Sequence, residues 1–130
     1  MVLDDFNATV ACLTSSVALV SVSGELDLYS SERLQQAIDE ARSVGADMVL
    51  VDLSGVAFID STALGVIVQE SKRLEGRGLS LILVTNDPRT LRVLEVTGLD
   101  RTLHRHATLH DALEANLPDV EADAVAPSGH

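Results

Sequence analysis

The residues best suited to carry chemistry are two hydroxyl side chains, Ser61 and Thr62, which directly follow Asp60. They lie where a buried strand and a loop give way to a helix. The first backbone N–H groups of a helix have no internal partners, so an anion there is stabilised by these donors and by the helix dipole. A phosphate on Ser61 would therefore not melt the helix. Residue types alone favour a simpler interpretation, in which Asp60 or Ser61 is the helix N-cap.

Two other groups of residues could in principle form chemical sites. Glu25 and Asp27 form an acidic pair, but no general acid or metal-binding pattern surrounds them. His104, His106 and His110 lack a cysteine or carboxylate at ligand spacing, so we expect them to be exposed and solvated rather than metal ligands. No metal site is predicted.

The sequence also lacks the motifs of common enzyme classes. It has no G-x-S-x-G elbow, no P-loop and no G-x-G-x-x-G. A serine hydrolase that used Ser61 would lack a base in a plausible sequence context. Cys12 is the only cysteine, which excludes an internal disulfide, and its position suggests a buried strand residue. We therefore expect a protein that is not an enzyme and that needs no cofactor.

The charge of the chain is strongly negative and unevenly distributed. The 130 residues carry a formal net charge of −11. Residues 1–60 contain ten acids and two bases, a net charge of −8, whereas residues 61–117 contain seven of each. Binding to nucleic acid rests on Lys and Arg, so no direct nucleic-acid partner is expected. A basic protein surface would complement the acidic half, although solubility alone would also explain the charge.

The apolar segments are too short to cross a membrane. A membrane-spanning helix needs about 20 consecutive apolar residues, and the longest runs here, such as residues 48–51, are far shorter. The N-terminal residues 1–5 lack the basic start of a secretory signal. Together with the single cysteine, this predicts a cytoplasmic protein without membrane insertion.

The elements that position Ser61 are predicted from periodicity. Residues 6–13 and 17–22 read as an antiparallel hairpin, residues 23–29 as a loop, and Ser30 as the N-cap of a helix that ends at Gly45. That helix presents an apolar stripe at positions i, i+3, i+4 and i+7.

The remaining elements follow in alternation. Residues 48–53 form a nearly apolar run, typical of a central strand covered on both faces, and residues 54–60 read as a loop. The remaining predicted elements are a helix over 61–74, a strand over 79–84, a helix from Asp87-Pro88 to Gly98, a short strand over 103–105 and a helix from Thr108 to about Leu117.

This order predicts an α/β fold with a mixed, largely parallel central sheet of four to five strands and about four helices. Residues 1–117 would form one domain. Residues 118–130 are acidic, small and proline-containing, and we expect them to be a disordered tail.

Three stretches carry a resemblance to a known family. They are Ser23-Gly24-Glu25-Leu26-Asp27, the run from Asp52-Leu53-Ser54 through Phe58-Ile59-Asp60-Ser61-Thr62-Ala63-Leu64-Gly65, and the weaker Val96-Thr97-Gly98-Leu99. Their order and spacing resemble STAS domains, the domains of sulfate transporters and anti-sigma factor antagonists, across about residues 6–117. The family motif often has Gly where this chain has Ala63, which would only stiffen the start of the helix.

The resemblance implies a STAS fold and a phosphorylatable binding switch. In anti-sigma factor antagonists, the serine after the motif Asp is the phosphate acceptor, which corresponds to Ser61, with Thr62 as a secondary candidate. The unphosphorylated form would bind an anti-sigma factor with GHKL-type serine kinase activity and release a sigma factor, and a protein phosphatase would restore this form. The predicted partner-binding residues are Glu25, Asp27, Tyr29, Asp60, Ser61, Thr62 and Ala63. The alternative is a non-catalytic STAS subunit or sensor of a transporter or stress-signalling complex that uses the same surface.

Overall fold

The computed structural model describes residues 6–116, which form five strands and four helices around one sheet. The strands are β1 (Asn7–Cys12), β2 (Val17–Leu26), β3 (Met48–Ile59), β4 (Ser80–Val84) and β5 (His104–His106). The helices are α1 (Leu28–Ser43), α2 (Ser61–Glu75), α3 (Pro88–Thr97) and α4 (Leu109–Asn116), with a 3-10 turn at Leu99–Arg101. Strand order in the sheet is β1-β2-β3-β4-β5; β1 is antiparallel to β2, and the other pairs are parallel. The predicted mixed α/β fold is confirmed.

Each face of the sheet has its own core. Successive residues of a strand point to opposite faces, and all of Val49, Leu50 and Val51 of β3 are fully buried. Val49 and Val51 pack in the larger core with α1, α2 and α3, whereas Leu50 packs in the smaller core with Ala112 of α4. The prediction that this strand is covered on both faces is therefore confirmed.

The strands β2 and β3 are longer than predicted. The sequence suggested loops at 23–29 and 54–60, but β2 continues to Leu26 and β3 to Ile59. Two register irregularities interrupt the pairing of these extensions. Each one breaks the alternation of buried and exposed residues that identifies a strand in a sequence. A Cβ on Gly55 would lie 3.0 Å from the Ser23 Cβ and 3.1 Å from the Val22 carbonyl oxygen, so glycine permits the close approach of the two strands.

The start of α1 also differs from the prediction. Its N-cap is Asp27 rather than Ser30, and Ser30 instead occupies the third helical position. The Asp27 carboxylate accepts a hydrogen bond from the Ser30 N–H at 3.0 Å, and the Ser30 hydroxyl accepts one from the Asp27 N–H at 2.9 Å. This is a reciprocal capping box in which Ser replaces the usual Glu or Gln. The apolar stripe of α1 is buried as predicted, at Leu34, Ala37, Ile38 and Ala41.

Two further predictions have clear outcomes, and a third falls outside the part of the chain that the structure describes. Cys12 is exposed, so the expectation that it is buried was wrong: it is the last residue of β1, which is an edge strand of the sheet. The helix from Asp87-Pro88 to Gly98 is confirmed, with Gly98 in the left-handed region at φ 78°. The predicted domain end at Leu117 and the tail 118–130 lie outside the described residues.

Within residues 6–116, no helix combines the length and hydrophobicity required to cross a bilayer.

Candidate functional site

The two longer motif stretches meet at the carboxyl ends of β2 and β3. In the parallel register Glu25 pairs with Phe58 and Leu26 with Ile59. The Asp60 N–H then donates to the Leu26 carbonyl oxygen at 3.2 Å. The segment around Glu25 therefore lies directly beside the segment that leads into Ser61.

Asp60 is the N-cap of α2, which decides between the two residues considered as the cap. Its backbone is extended, and its Oδ1 accepts a hydrogen bond from the Ala63 N–H at 2.8 Å. The Leu64 N–H donates to the Asp60 carbonyl oxygen at 3.2 Å. Ser61 is consequently the first helical residue, and its hydroxyl is not used for capping.

Ser61 and Thr62 are both exposed at this helix start. In the part of the chain that the structure describes, neither hydroxyl makes a hydrogen bond, and neither backbone N–H has a protein acceptor. These are two of the orphan donors expected at a helix N-terminus. Both hydroxyls are thus accessible from solvent, and the free N–H groups face a position that favours negative charge.

Asp27 caps the start of α1, as Asp60 caps the start of α2. The Ser30 backbone N–H is the main cause that holds the pKa of the Asp27 carboxyl below its usual value, with the Ser30 hydroxyl as a further cause. The Ser30 hydroxyl also donates to the Glu25 carbonyl oxygen at 2.9 Å. This network fixes the turn that presents the exposed Glu25 and Tyr29.

The exposed apolar side chains beside this turn were only partly anticipated. Leu28 is 57%, Tyr29 86% and Phe58 49% exposed. Tyr29 is among the predicted partner-binding residues, whereas Leu28 and Phe58 are not. The sequence does carry a signal for their exposure. Leu28 directly follows the capping Asp27, Phe58 lies next to the end of β3, and neither belongs to the apolar pattern that its helix or strand buries. We call Glu25, Leu28, Tyr29, Phe58, Asp60, Ser61 and Thr62 the docking surface.

Ala63 does not contribute to that surface, so its prediction as a partner-binding residue was wrong. Its side chain is fully buried under the start of α2, so it has no area to offer a partner. Its role is structural, because its N–H satisfies the cap at Asp60.

The histidines do not come together as a site. His104 lies 3.4 Å from Glu75, and His110 lies 3.3 Å from Glu114, both as exposed pairs. His106 is partly buried beside Asn116. Over residues 6–116, no group of three potential ligands is placed to hold a metal ion.

A polar bridge joins the two helices that begin at the docking surface. Glu70 of α2 is 4% exposed and accepts hydrogen bonds from Gln35 of α1 and from Arg73. Arg73 also reaches Asp39 of α1 at 2.9 Å. The Glu70 contact, followed by the Asp39 contact, raises the pKa of Arg73. The bridge fixes α1 relative to α2 and hence Tyr29 relative to Ser61.

Arg89 of α3 supports the other side of the docking surface. The end of β3 pairs with β2 but extends beyond β4, which ends at Val84. The Arg89 Nη2 donates to the Ala57 carbonyl oxygen at 3.1 Å, next to Phe58.

Comparison with known proteins agrees with this geometry. The family model described as "STAS domain" matches residues 10–112. The chain belongs to the STAS domain family. The STAS chain is 34% identical over 110 residues to the anti-sigma-F factor antagonist RsfB of Mycobacterium tuberculosis, covering 85% of this chain and 88% of the relative. It is also 34% identical over 85 residues to the anti-sigma-B factor antagonist of Staphylococcus aureus, covering 65% of this chain and 79% of the relative.

A solved structure is similar over the same region. The crystal structure of an anti-sigma factor antagonist from Mycobacterium paratuberculosis superposes with a TM-score of 0.75 at 34% identity, covering 85% of the STAS chain and 92% of the other.

Proposed function

We propose that this STAS protein is an anti-sigma factor antagonist that is switched by phosphorylation of Ser61. Its relatives named as antagonists support the class of function. The observation that carries the proposal is the position of Ser61. It is an exposed hydroxyl at the first position of α2, directly after the capping Asp60 and beside the exposed Tyr29 and Phe58.

The unphosphorylated protein binds an anti-sigma factor through the docking surface and thereby releases a sigma factor. Leu28, Tyr29 and Phe58 supply the apolar contact area, since large aromatic side chains dominate the energetics of protein interfaces. Glu25 and Asp60 place negative charge around them and favour a basic partner surface.

Phosphorylation opposes this binding because it places a bulky anion beside the apolar contacts of Tyr29 and Phe58, where its size and its desolvation cost outweigh any attraction to basic groups of the partner. It adds about −1.5 to −2 charges at pH 7, within an acidic docking surface that contains Glu25 and Asp60. The free N–H groups of Ser61 and Thr62 and the α2 dipole keep the helix start stable. Phosphorylation therefore changes the surface without unfolding it. A loss of about 3 kcal/mol in binding corresponds to more than a hundredfold in affinity.

The partner is an anti-sigma factor of the GHKL type with serine kinase activity, and a protein phosphatase returns the protein to its binding form. Thr62 is exposed like Ser61, so the structure leaves both hydroxyls accessible. Ser61 is favoured because it occupies the acceptor position of the family motif.

A phosphorylation assay tests the proposal. The protein and the variants Ser61→Ala and Thr62→Ala are incubated with candidate GHKL kinases of the same genome and ATP, and the product is read by intact mass and peptide mapping. We expect one phosphate on the wild type and on Thr62→Ala, and none on Ser61→Ala. Phosphate on Thr62 alone would overturn the assignment of Ser61.

A binding assay separates the switch from the alternative of a transporter or sensor subunit. Calorimetry with the unphosphorylated and phosphorylated forms should show tight binding of the kinase only by the former. Equal affinities would contradict the switch. Recovery of a transporter ATPase instead of a GHKL kinase in a native pull-down would favour the alternative.

A further inference from the structure

A hollow lies between α3 and the edge strand β5, two elements that contribute no residue to the docking surface. It has a volume of 530 Å³ and is lined in part by Arg89, Arg92 and Arg105. The chain contains eight arginines and one lysine at a net charge of −11. Three of those eight arginines thus line one concave site of a strongly acidic protein.

Two of these arginines are available to a ligand. Among residues 6–116, neither Arg92 nor Arg105 forms an ion pair with a carboxylate. Arg105 is oriented by a hydrogen bond from its Nη1 to the Thr85 carbonyl oxygen at 2.9 Å. Since a guanidinium has five donors in a fixed fork, one bond to Thr85 leaves most of the fork free.

Arg89 lies at the rim of the hollow. Its side chain is 75% exposed, and it contacts both Asp87, at 3.5 Å, and the Ala57 carbonyl oxygen. It also lines a smaller neighbouring hollow of 280 Å³ at the ends of β3 and β4. It can therefore reach a ligand from the side that faces the docking surface.

We propose that this hollow binds a small phosphate-bearing molecule through Arg92 and Arg105, with Arg89 at the rim. The planar fork of arginine matches the oxygens of a phosphate in bidentate fashion. Glu95 and Asp100 also line the hollow. Their carboxylates would repel an anion that had no hydrogen-bond donors of its own. The ligand therefore also presents hydrogen-bond donors, such as the hydroxyl groups of a sugar phosphate, to these carboxylates. A volume of 530 Å³ is within the range of small-ligand sites, about 300–1,000 Å³.

Calorimetric titration at fixed ionic strength tests this assignment with ribose 5-phosphate, inorganic pyrophosphate, ribose and citrate as probes. The decisive variant is Arg92→Gln, because Arg92 is exposed and has no hydrogen bond or ion pair within the described residues, so its fold should be unaffected. Arg105→Gln is the second variant. Arg77→Gln is the matched control, since it removes the same charge from an exposed turn before β4.

We expect saturable binding of ribose 5-phosphate that weakens at least about tenfold in Arg92→Gln and Arg105→Gln, in line with the loss of a charged hydrogen bond. Binding should be unchanged in Arg77→Gln, and ribose should not bind. The proposal fails if neither phosphate probe binds saturably, if Arg92→Gln binds as well as the wild type, if Arg77→Gln loses as much, or if citrate binds as tightly as ribose 5-phosphate.

Discussion

The amide nitrogen of Asp60 lies 3.2 Å from the carbonyl oxygen of Leu26. This contact ends the parallel pairing of β2 and β3. Each of these two strands is followed directly by a helix that an aspartate caps. Asp27 caps α1, and Asp60 caps α2. Two helix N-termini therefore start side by side at one edge of the sheet, and the docking surface consists of the residues around these two starts.

Substitutions of Ser61 should separate binding from folding. Because Asp60 rather than Ser61 caps the helix, Ser61→Ala removes no capping bond, and the free energy of unfolding should change by less than about 0.5 kcal/mol. Ser61→Asp places a carboxylate near the helix dipole, which favours it by about 0.3–1 kcal/mol. Both variants should fold, as checked by circular dichroism and urea denaturation.

Their affinities for the anti-sigma factor should differ. Wild type and Ser61→Ala should bind tightly, Ser61→Asp more weakly, and the phosphorylated wild type most weakly, as measured by calorimetry. A single carboxylate imitates a phosphate only in part. Equal affinities of the Ala and Asp variants would show that charge at this position does not control binding.

Substitutions of Asp60 should reveal the cap. Asp60→Ala removes the acceptor for the Ala63 N–H and should lower the free energy of unfolding by about 0.5–2 kcal/mol. Asp60→Asn keeps a side-chain oxygen and is the matched control, with a smaller loss. Urea denaturation measures both. If the Ala variant were as stable as the Asn variant, the hydrogen bond at 2.8 Å would contribute nothing.

Asp27 should make stability depend on acid pH. Hydrogen bonding by Ser30 lowers the pKa of Asp27 in the folded protein below its usual value of 3.8. The associated stabilisation is therefore present above that value and is lost as the pH falls through the lower folded pKa. Asp27→Asn keeps a capping oxygen but cannot titrate, so its unfolding free energy should fall less than that of the wild type on acidification. Parallel acid-dependence curves would contradict this.

The apolar part of the docking surface should carry much of the binding energy. Tyr29→Ala and Phe58→Ala should each weaken binding of the anti-sigma factor by about 2 kcal/mol, or about thirtyfold. Val96→Ala is the matched control, because Val96 is 75% exposed but lies on α3, outside the docking surface. Calorimetry should show its affinity unchanged. A comparable loss for Val96→Ala would mean that the partner contacts a different face.

The bridge between α1 and α2 should contribute to stability. Glu70→Ala leaves the half-buried Gln35 amide and one contact of Arg73 without their acceptor and should cost about 1–3 kcal/mol. Glu75→Ala removes a carboxylate of the same helix that pairs with His104 at the surface, and it should cost less than about 0.5 kcal/mol. Thermal and urea unfolding compare the two. Equal losses would show that the buried position of Glu70 has no special effect.

The sequence predicted the helices and the strand cores well because their patterns are local. The stripe of Leu34, Ala37, Ile38 and Ala41 needs only the helical period, and residues 48–53 needed only their apolar run. The extensions of β2 and β3 could not be predicted in this way, because they depend on pairing between Ser23 and Gly55, which are distant in sequence. Small and polar residues there resemble a loop until the partner strand is known.

The candidate site was predicted in part for the same reason. Asp60 and Ser61 were predicted because they belong to the family motif, and Tyr29 because it closely follows the motif stretch that ends at Asp27. The contribution of Phe58 became visible only when register placed it opposite Glu25. Ala63 was assigned to the surface because it is adjacent to Ser61 and Thr62 in sequence, yet the helical turn directs its side chain inward.

The strand order β1-β2-β3-β4-β5 has a consequence for synthesis on the ribosome. Each strand pairs with its neighbour in chain order, so every strand from β2 onward meets a partner strand that has already been synthesised. All residues of the docking surface precede Glu75, the last residue of α2. Every residue of the docking surface is therefore synthesised before β4 and β5, the strands that complete the sheet.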